Sequence, residues 1–191
     1  MNSPVLHLLA GPNGAGKTTF VERVLGPSTG LPFINADAIA AQRWPGTELE
    51  HAYEAARAAD EQRNRLLAAG ASFITETVFS HPSKVELVEQ AAALRYLVTL
   101  HVILIPEETT VRRVEYRASH GGHGVPEDKI RGRYSRLWSH IATARLVADR
   151  ARFYDNSRAA SPFRLVAVYE HGIEAGYSHW PKWTPPALTS V

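Results

Sequence analysis

The chain has 191 residues, 45% of them hydrophobic and 21% charged, with no cysteine and a net charge of only +2. A length in the range of about 100–200 residues fits one sizeable domain, and this composition buries enough apolar surface to oppose chain entropy. Without a thiol there are no disulfides, cysteine-ligated zinc sites, iron–sulfur clusters or thiol catalysis, and the near-neutral charge makes nucleic acid an unexpected partner.

No segment approaches the roughly 20 apolar residues that span a bilayer, and the start lacks a basic stretch ahead of its short apolar run. The expectation is a soluble, unprocessed, cytoplasmic protein that does not engage membranes. The charge is unevenly spread: residues 1–110 carry 8 Lys/Arg against 12 Asp/Glu, whereas residues 111–158 carry 11 against 5.

In chain order, residues 5–10 (VLHLLA) read as a strand that stops at Gly11 and Pro12, and residues 17–25 have helical spacing through Phe20, Val21, Val24 and Leu25. Residues 31–35 read as a second strand, and a small helix is predicted near 37–42. Residues 48–69 form a long Ala-rich helix that ends at Gly70. A strand at 71–78, a helix at 83–97 and a Val/Leu/Ile strand at 98–105 follow. Two further helices, 109–119 and 127–148, flank the segment HGGHGVP, and the last strands fall at 152–155 and 163–169. Such alternation predicts an α/β fold: one domain over 1–191, a mostly parallel sheet with helices on both faces. The Pro- and Trp-rich tail, 171–191, is expected to pack over the surface or fray.

The sharpest signal is GPNGAGKTT, which satisfies G-x-x-x-x-G-K-[ST] between a strand and a helix. Glycines at 11, 14 and 16 let successive amides of Gly11, Pro12, Asn13, Gly14, Ala15, Gly16, Lys17, Thr18 and Thr19 curl round a phosphate, Pro12 adding only its carbonyl. The following helix N-terminus adds its partial positive charge. Lys17 would reach the β- and γ-phosphates of ATP, and the Thr18 hydroxyl would ligate Mg²⁺. A guanine-reading N-K-x-D is missing, as is an LSGGQ-type signature, so small-molecule kinases remain. These need an acceptor site, a base and a basic lid.

Asp37, just after the second strand in FINADAIA, falls at the carboxyl end of the sheet, where ligands of open parallel sheets bind. It reads as a base or, with Asn35, as a helix cap. Glu76, beside Thr77 at the end of FITETVFS, is costly to bury without a partner or a task. It reads as a substrate or indirect Mg²⁺ contact, or as a solvated strand end. Glu107 and Glu108 are expected to start a helix. Arg113 and Arg117 share one helix face, and Arg133 and Arg136 another. Joined by glycines, the two helices within 109–150 could close over a triphosphate as an Arg-bearing lid. His120 and His123 are read as loop residues.

Taken in order, GPNGAGKTTF, FINADAIA, FITETVFS, RRVEYRASHGGHGVPEDKIRGRYSRL and YDNS resemble the zeta-toxin-like kinases, and in particular their smaller bacterial branch. The resemblance spans roughly residues 5–170. It implies a single-domain P-loop kinase fold, ATP and Mg²⁺, phosphorylation of the 3′-hydroxyl of UDP-N-acetylglucosamine or a related UDP-sugar, and a possible antitoxin partner. By the same resemblance Asp37 is the base and Glu76 the sugar-contacting acid. Arg117 and one of Arg131 or Arg133 stabilise the γ-phosphoryl group, and Asn156 lies near the adenine. Gly124 and Gly132 stand where the branch usually carries Asp and Arg, which leaves Arg131 and Arg133 both open. Kinases of a nucleoside, another sugar or a polynucleotide 5′-hydroxyl are alternatives, as is a non-catalytic ATP-dependent binding module.

Overall fold

Apolar runs short enough to be crossed quickly, and buried on both sides, become the inner strands of one sheet. A computed structural model of the chain describes residues 3–120 and 124–189. The strands are β1 (Val5–Ala10), β2 (Phe33–Ile34), β3 (Phe73–Thr77), β4 (Leu97–Leu104), β5 (Arg150–Asp155), β6 (Arg164–Glu170) and β7 (Ile173–Glu174), in the spatial order β2-β3-β1-β4-β5-β6-β7. The first five in that order pair in parallel, whereas β6 and β7 return antiparallel. The parallel strands therefore end along one edge, and the loops that follow them share it.

The helices are α1 (Lys17–Phe20), α2 (Gly26–Thr29), α3 (Ala36–Arg43), α4 (Ala52–Ala68), α5 (Ser83–Ala93), α6 (Glu107–Ser119), α7 (Glu127–Val147) and α8 (Pro186–Thr189). The helix predicted over 17–25 widens into a π turn at Val21–Leu25, in which the Gly26 amide reaches back five residues to the Val21 carbonyl. Pro27, which has no amide hydrogen, follows at once and cannot continue an α ladder there. The long helix starts at Ala52 rather than 48. The hinge glycines Gly121 and Gly122, with His123, lie outside the described residues.

Two apolar layers sandwich the sheet. Leu6, Leu8 and Ala10 of β1 and Val98, Leu100, Val102 and Leu104 of β4 share one core with Leu87 and Val88 of α5 and Leu137, Trp138 and Ile141 of α7. Leu9, Ile74, Ile103 and Ile105 meet Phe20, Val21 and Leu25 on the other face. Each fully buried large side chain is worth about 1.5–3 kcal/mol of transfer free energy. Burial of Phe20 therefore clamps the helix behind the phosphate loop against the sheet.

The tail packs over the surface, as expected, and is anchored by a few apolar side chains. Trp180 packs edge-on against Phe153 at 5.0 Å, and Leu188 is fully buried. Arg145 Nη1 donates to the Leu188 carbonyl at 2.9 Å, and the same guanidinium lies 4.2 Å over the Tyr169 ring. Isolated apolar residues among prolines carry no periodicity, so their shared burial could not be read locally. Among the described residues no helix is long and apolar enough to cross a membrane.

One polar pair, a buried His101 and a half-buried His7, sits in the sheet beside Phe20. His7 Nδ1 and His101 Nε2 lie 3.0 Å apart, with Tyr154 stacked on His101 and Phe20 tilted against it. Burial pushes His101 down to about 3 from an ordinary value of 6.5, with His7 and Arg152 pushing the same way. The unfolded chain thus takes up the proton first as pH falls below about 6.5, and the folded state loses stability progressively down to about 3. We expect the urea midpoint of the wild type to fall more steeply over this window than that of His101→Gln. Parallel curves would show that the ring carries no such linkage.

Candidate active site

The sharp turn after β1 brings the phosphate loop to the sheet's carboxyl edge. Gly11 adopts φ +148°, and a Cβ built there would lie 2.5 Å from the Ile103 carbonyl oxygen of β4. Only glycine lets the loop pass this close to the neighbouring strand. Pro12 and Ala15 are buried, and Asn13, Gly14, Gly16 and Thr19 are partly exposed. Among the described residues the amides of Gly14, Gly16 and Lys17 have no acceptor. Unpaired donors at a helix N-terminus form the cradle that a phosphate fills.

Lys17 is 9% exposed and donates from Nζ to the carbonyls of Gly11 and Pro12, each at 3.0 Å. Burial lowers its pKa, the carboxylates of Glu76 and Asp37 raise it back in part, and Arg117 adds to the lowering. The ammonium has two carbonyl partners and, among the described residues, no direct ion pair. Residues from three separate segments thus act on one charge.

Glu76 is the penultimate residue of β3 and stands opposite Leu9 of β1. Its carboxylate accepts the Thr18 hydroxyl, 3.1 Å from each oxygen, and the Asn35 amide at 3.0 Å. Burial pushes the carboxyl pKa up, Lys17 and the Thr18 hydroxyl bring it down, and Asp37 and Glu22 push it up again. A hydroxyl and a carboxylate side by side at the phosphate loop form an all-oxygen donor set of the kind Mg²⁺ takes, completed by phosphates and waters. Thr18 and Glu76 thus fit the metal, and it would supply charge neutralisation of the transferring phosphate. Among the described residues no group of three or more acidic or histidine side chains forms a closed metal cage. Thr77, the next residue, accepts the Phe79 amide through its hydroxyl at 3.2 Å and stabilises a left-handed turn at Phe79, φ +67°.

The two readings of the FINADAIA segment separate cleanly. Asn35 caps α3: its Oδ1 accepts from the amides of Asp37 at 2.7 Å and Ala38 at 3.2 Å. Asp37 is exposed in the first turn, and its side chain makes no hydrogen bond or ion pair among the described residues. Its charge nevertheless acts on both Lys17 and Glu76.

The arginines divide three ways. Arg113 turns to the phosphate loop and donates to the carbonyls of Gly14 at 3.1 Å and Asn156 at 3.0 Å. Asn156 in turn donates its side-chain amide to the Ala15 carbonyl at 2.8 Å, so both residues brace the loop. Arg117, one turn on, is exposed and acts on Lys17. Arg131 is held by Glu107, Glu108 and Glu127, with contacts of 2.7 Å to Glu108 and 2.8 Å to Glu127. Hydrogen bonds from Arg131 hold the Glu108 carboxyl below its usual range. Arg133 is half-buried and makes no hydrogen bond or ion pair among the described residues.

The structure therefore brings Lys17, Thr18, Glu76, Asp37 and Arg117 within one electrostatic neighbourhood and puts Arg131 in a carboxylate cage between α6 and α7. Sequence spacing did not single out the Arg113–Asn156 brace or the Asn35–Glu76 bond. Both depend on partners 41 or more residues away. The signal for Asn35 was its cap position, and nothing local pointed to its second bond.

A family model described as an AAA domain, AAA_33, matches residues 6–137. No curated protein matches the chain in sequence. Among solved structures, the PezAT chromosomal toxin–antitoxin system of Streptococcus pneumoniae aligns with a TM-score of 0.58 at 18% identity, over 86% of this chain and 72% of that one. The AvrRxo1-ORF1:-ORF2 complex with ATP aligns with a TM-score of 0.62 at 18% identity, over 91% of this chain and 60% of that one. Shikimate kinase from Acinetobacter baumannii, in complex with shikimate, aligns with a TM-score of 0.52 at 22% identity, over 83% and 87%. These likenesses describe the fold, which is P-loop kinase-like.

Proposed function

This chain belongs to the AAA_33 family of AAA domains, and we accordingly propose that it is a Mg²⁺- and ATP-dependent phosphotransferase acting on a hydroxyl of a small molecule. The observation that carries the reading is Asp37. Asn35 does the capping, so the Asp37 carboxylate is left uncommitted at the carboxyl edge, within electrostatic reach of Lys17 and Glu76.

In this reading the phosphate-loop amides and Lys17 bind the β- and γ-phosphates. Asp37 accepts the proton of the acceptor hydroxyl as the new oxygen–phosphorus bond forms and the bond to the ADP oxygen breaks. Arg117 neutralises the charge that spreads over the transferring oxygens, and Arg133, which no carboxylate holds among the described residues, joins it. Arg131 pins the two lid helices to each other, and Arg113 with Asn156 keeps the loop shaped beside the adenine end. Positioning and electrostatics do most of the catalysis in phosphoryl transfer.

For the acceptor, the ordered motifs that resemble the zeta-toxin-like kinases favour UDP-N-acetylglucosamine or a related UDP-sugar, contacted by Glu76 and Thr77. The likeness in fold to a structure from a toxin–antitoxin system supports the same branch and raises an antitoxin as a partner. The test is ATP consumption with UDP-N-acetylglucosamine, shikimate, nucleosides and a 5′-hydroxyl oligonucleotide in parallel. We expect acceptor-dependent ADP formation with the UDP-sugar. Turnover with none of them, alongside intact ATP binding, would point to the binding module instead. In the same assay Arg133→Ala should lower kcat by about 10²-fold or more, whereas Arg131→Ala should chiefly lower the thermal midpoint.

A further inference from the structure

We infer that Asn35 is a positioning residue that ties the helix bearing Asp37 to the carboxylate beside Thr18, an inference that rests on the phosphotransferase reading and deepens it. The amide is 5% exposed, so its polar atoms must find partners inside the protein. Its oxygen serves the two α3 amides, and its nitrogen donates to Glu76 Oε1 at 3.0 Å. Capping explains only the first half. Ser, Thr or Asp caps a helix about as well as Asn, but an ionised Asp has no donor and a Ser or Thr hydroxyl must accept and donate at one short oxygen, whereas the planar amide accepts at its oxygen and donates from a separate nitrogen.

The register makes the link rigid. Ile34 of β2 stands opposite Thr75 of β3, and the Thr75 hydroxyl donates to the Ile34 carbonyl at 2.9 Å, so the next residues, Asn35 and Glu76, face each other. Glu76 pairs in turn with Leu9 of β1, the strand that runs into the phosphate loop. The result is an unbroken polar chain, from the Asp37 amide through Asn35 and Glu76 to the Thr18 hydroxyl, across three adjacent segments of the sheet edge. Asn35 thereby sets where Glu76 sits relative to both the proposed base and the hydroxyl proposed to meet the metal. If Thr18 turns away from Glu76 toward a ligand, the Asn35 amide is the remaining hydrogen bond, among the described residues, that holds the Glu76 carboxylate in place.

Two substitutions that keep the cap separate the roles. Asn35→Ser retains a capping oxygen and loses the amide nitrogen that reaches Glu76; Asn35→Asp retains the cap and puts a second carboxylate against Glu76. ATP binding is followed by calorimetry across a Mg²⁺ series, a readout that needs no acceptor, together with thermal midpoints and, with the acceptor found above, kcat and KM. Both variants should melt within a few degrees of the wild type. The Mg²⁺ concentration for half-maximal ATP binding should rise by about tenfold in Asn35→Ser and further in Asn35→Asp, in line with the loss of an outer-shell partner. We expect kcat to fall with little change in acceptor KM. Wild-type Mg²⁺ dependence in both variants would reduce Asn35 to a cap, as would a loss of binding that simply follows a fallen melting point. Should the wild type phosphorylate no acceptor, the phosphotransferase reading fails, while the Mg²⁺ series still decides what Asn35 does.

Discussion

Asp37→Asn should leave ATP binding intact and lower acceptor phosphorylation by about 10²–10⁴-fold, the usual contribution of a general base. The substitution is close to isosteric, and the position is exposed, so folding should be little affected. The cap of α3 survives because it belongs to Asn35 and not to Asp37. What disappears is a negative charge that acts on Lys17 and on Glu76. Its loss leaves Lys17 with one fewer carboxylate and relieves repulsion of the triphosphate, so ATP affinity should hold or tighten slightly. A fall in kcat with an unchanged dissociation constant for ATP would be the signature of a group that acts only on the reaction. Undiminished kcat would remove Asp37 from the chemistry.

The second large effect is expected at the opposite side of the site, in Gly11→Ala. The native φ of +148° is costly for any residue with a Cβ, by about 1–3 kcal/mol. The added methyl would also lie 2.5 Å from the Ile103 carbonyl oxygen. That oxygen belongs to the backbone of a strand paired on both sides, with β1 and with β5, so it cannot step aside as a flexible side chain would. Overpacking of this kind adds roughly 1–3 kcal/mol more. Relief must come from the loop, and a displaced loop moves the Gly11 carbonyl that anchors Lys17 Nζ. We therefore expect a lower urea midpoint and loss of ATP binding together. Gly46→Ala is the control, since Gly46 has φ +86° with nothing within 4 Å of the added carbon. It carries the backbone cost alone. Equal effects at the two positions would show that the close approach to β4 does not matter.

Much of the architecture was legible along the chain because its signals are local. The strand at 5–10 occurs as predicted, and the strand expected at 98–105 runs from Leu97 to Leu104, since a continuous apolar run has few places to go other than the middle of a parallel sheet. The phosphate loop was legible for a related reason: glycine spacing, Lys17 and Thr18 are all contained in nine residues. Strand and helix ends were less so. The helix after the loop changes to a π turn where Pro27 withdraws its amide, and the residues that anchor the tail, Trp180 and Leu188, follow no periodicity.

By itself, then, the sequence determined the alternating order of elements, the phosphate loop and which side chains were available for chemistry. Tertiary structure alone decided how those side chains are spent. It gave the capping work to Asn35 and left the Asp37 side chain without a hydrogen bond among the described residues, put Thr18 and Asn35 both on the Glu76 carboxylate, turned Arg113 onto the loop and locked Arg131 among three glutamates. The physical reason is range: propensity and periodicity act over a few residues, whereas a hydrogen bond or an ion pair is settled by whichever partner the folded sheet brings within about 3 Å.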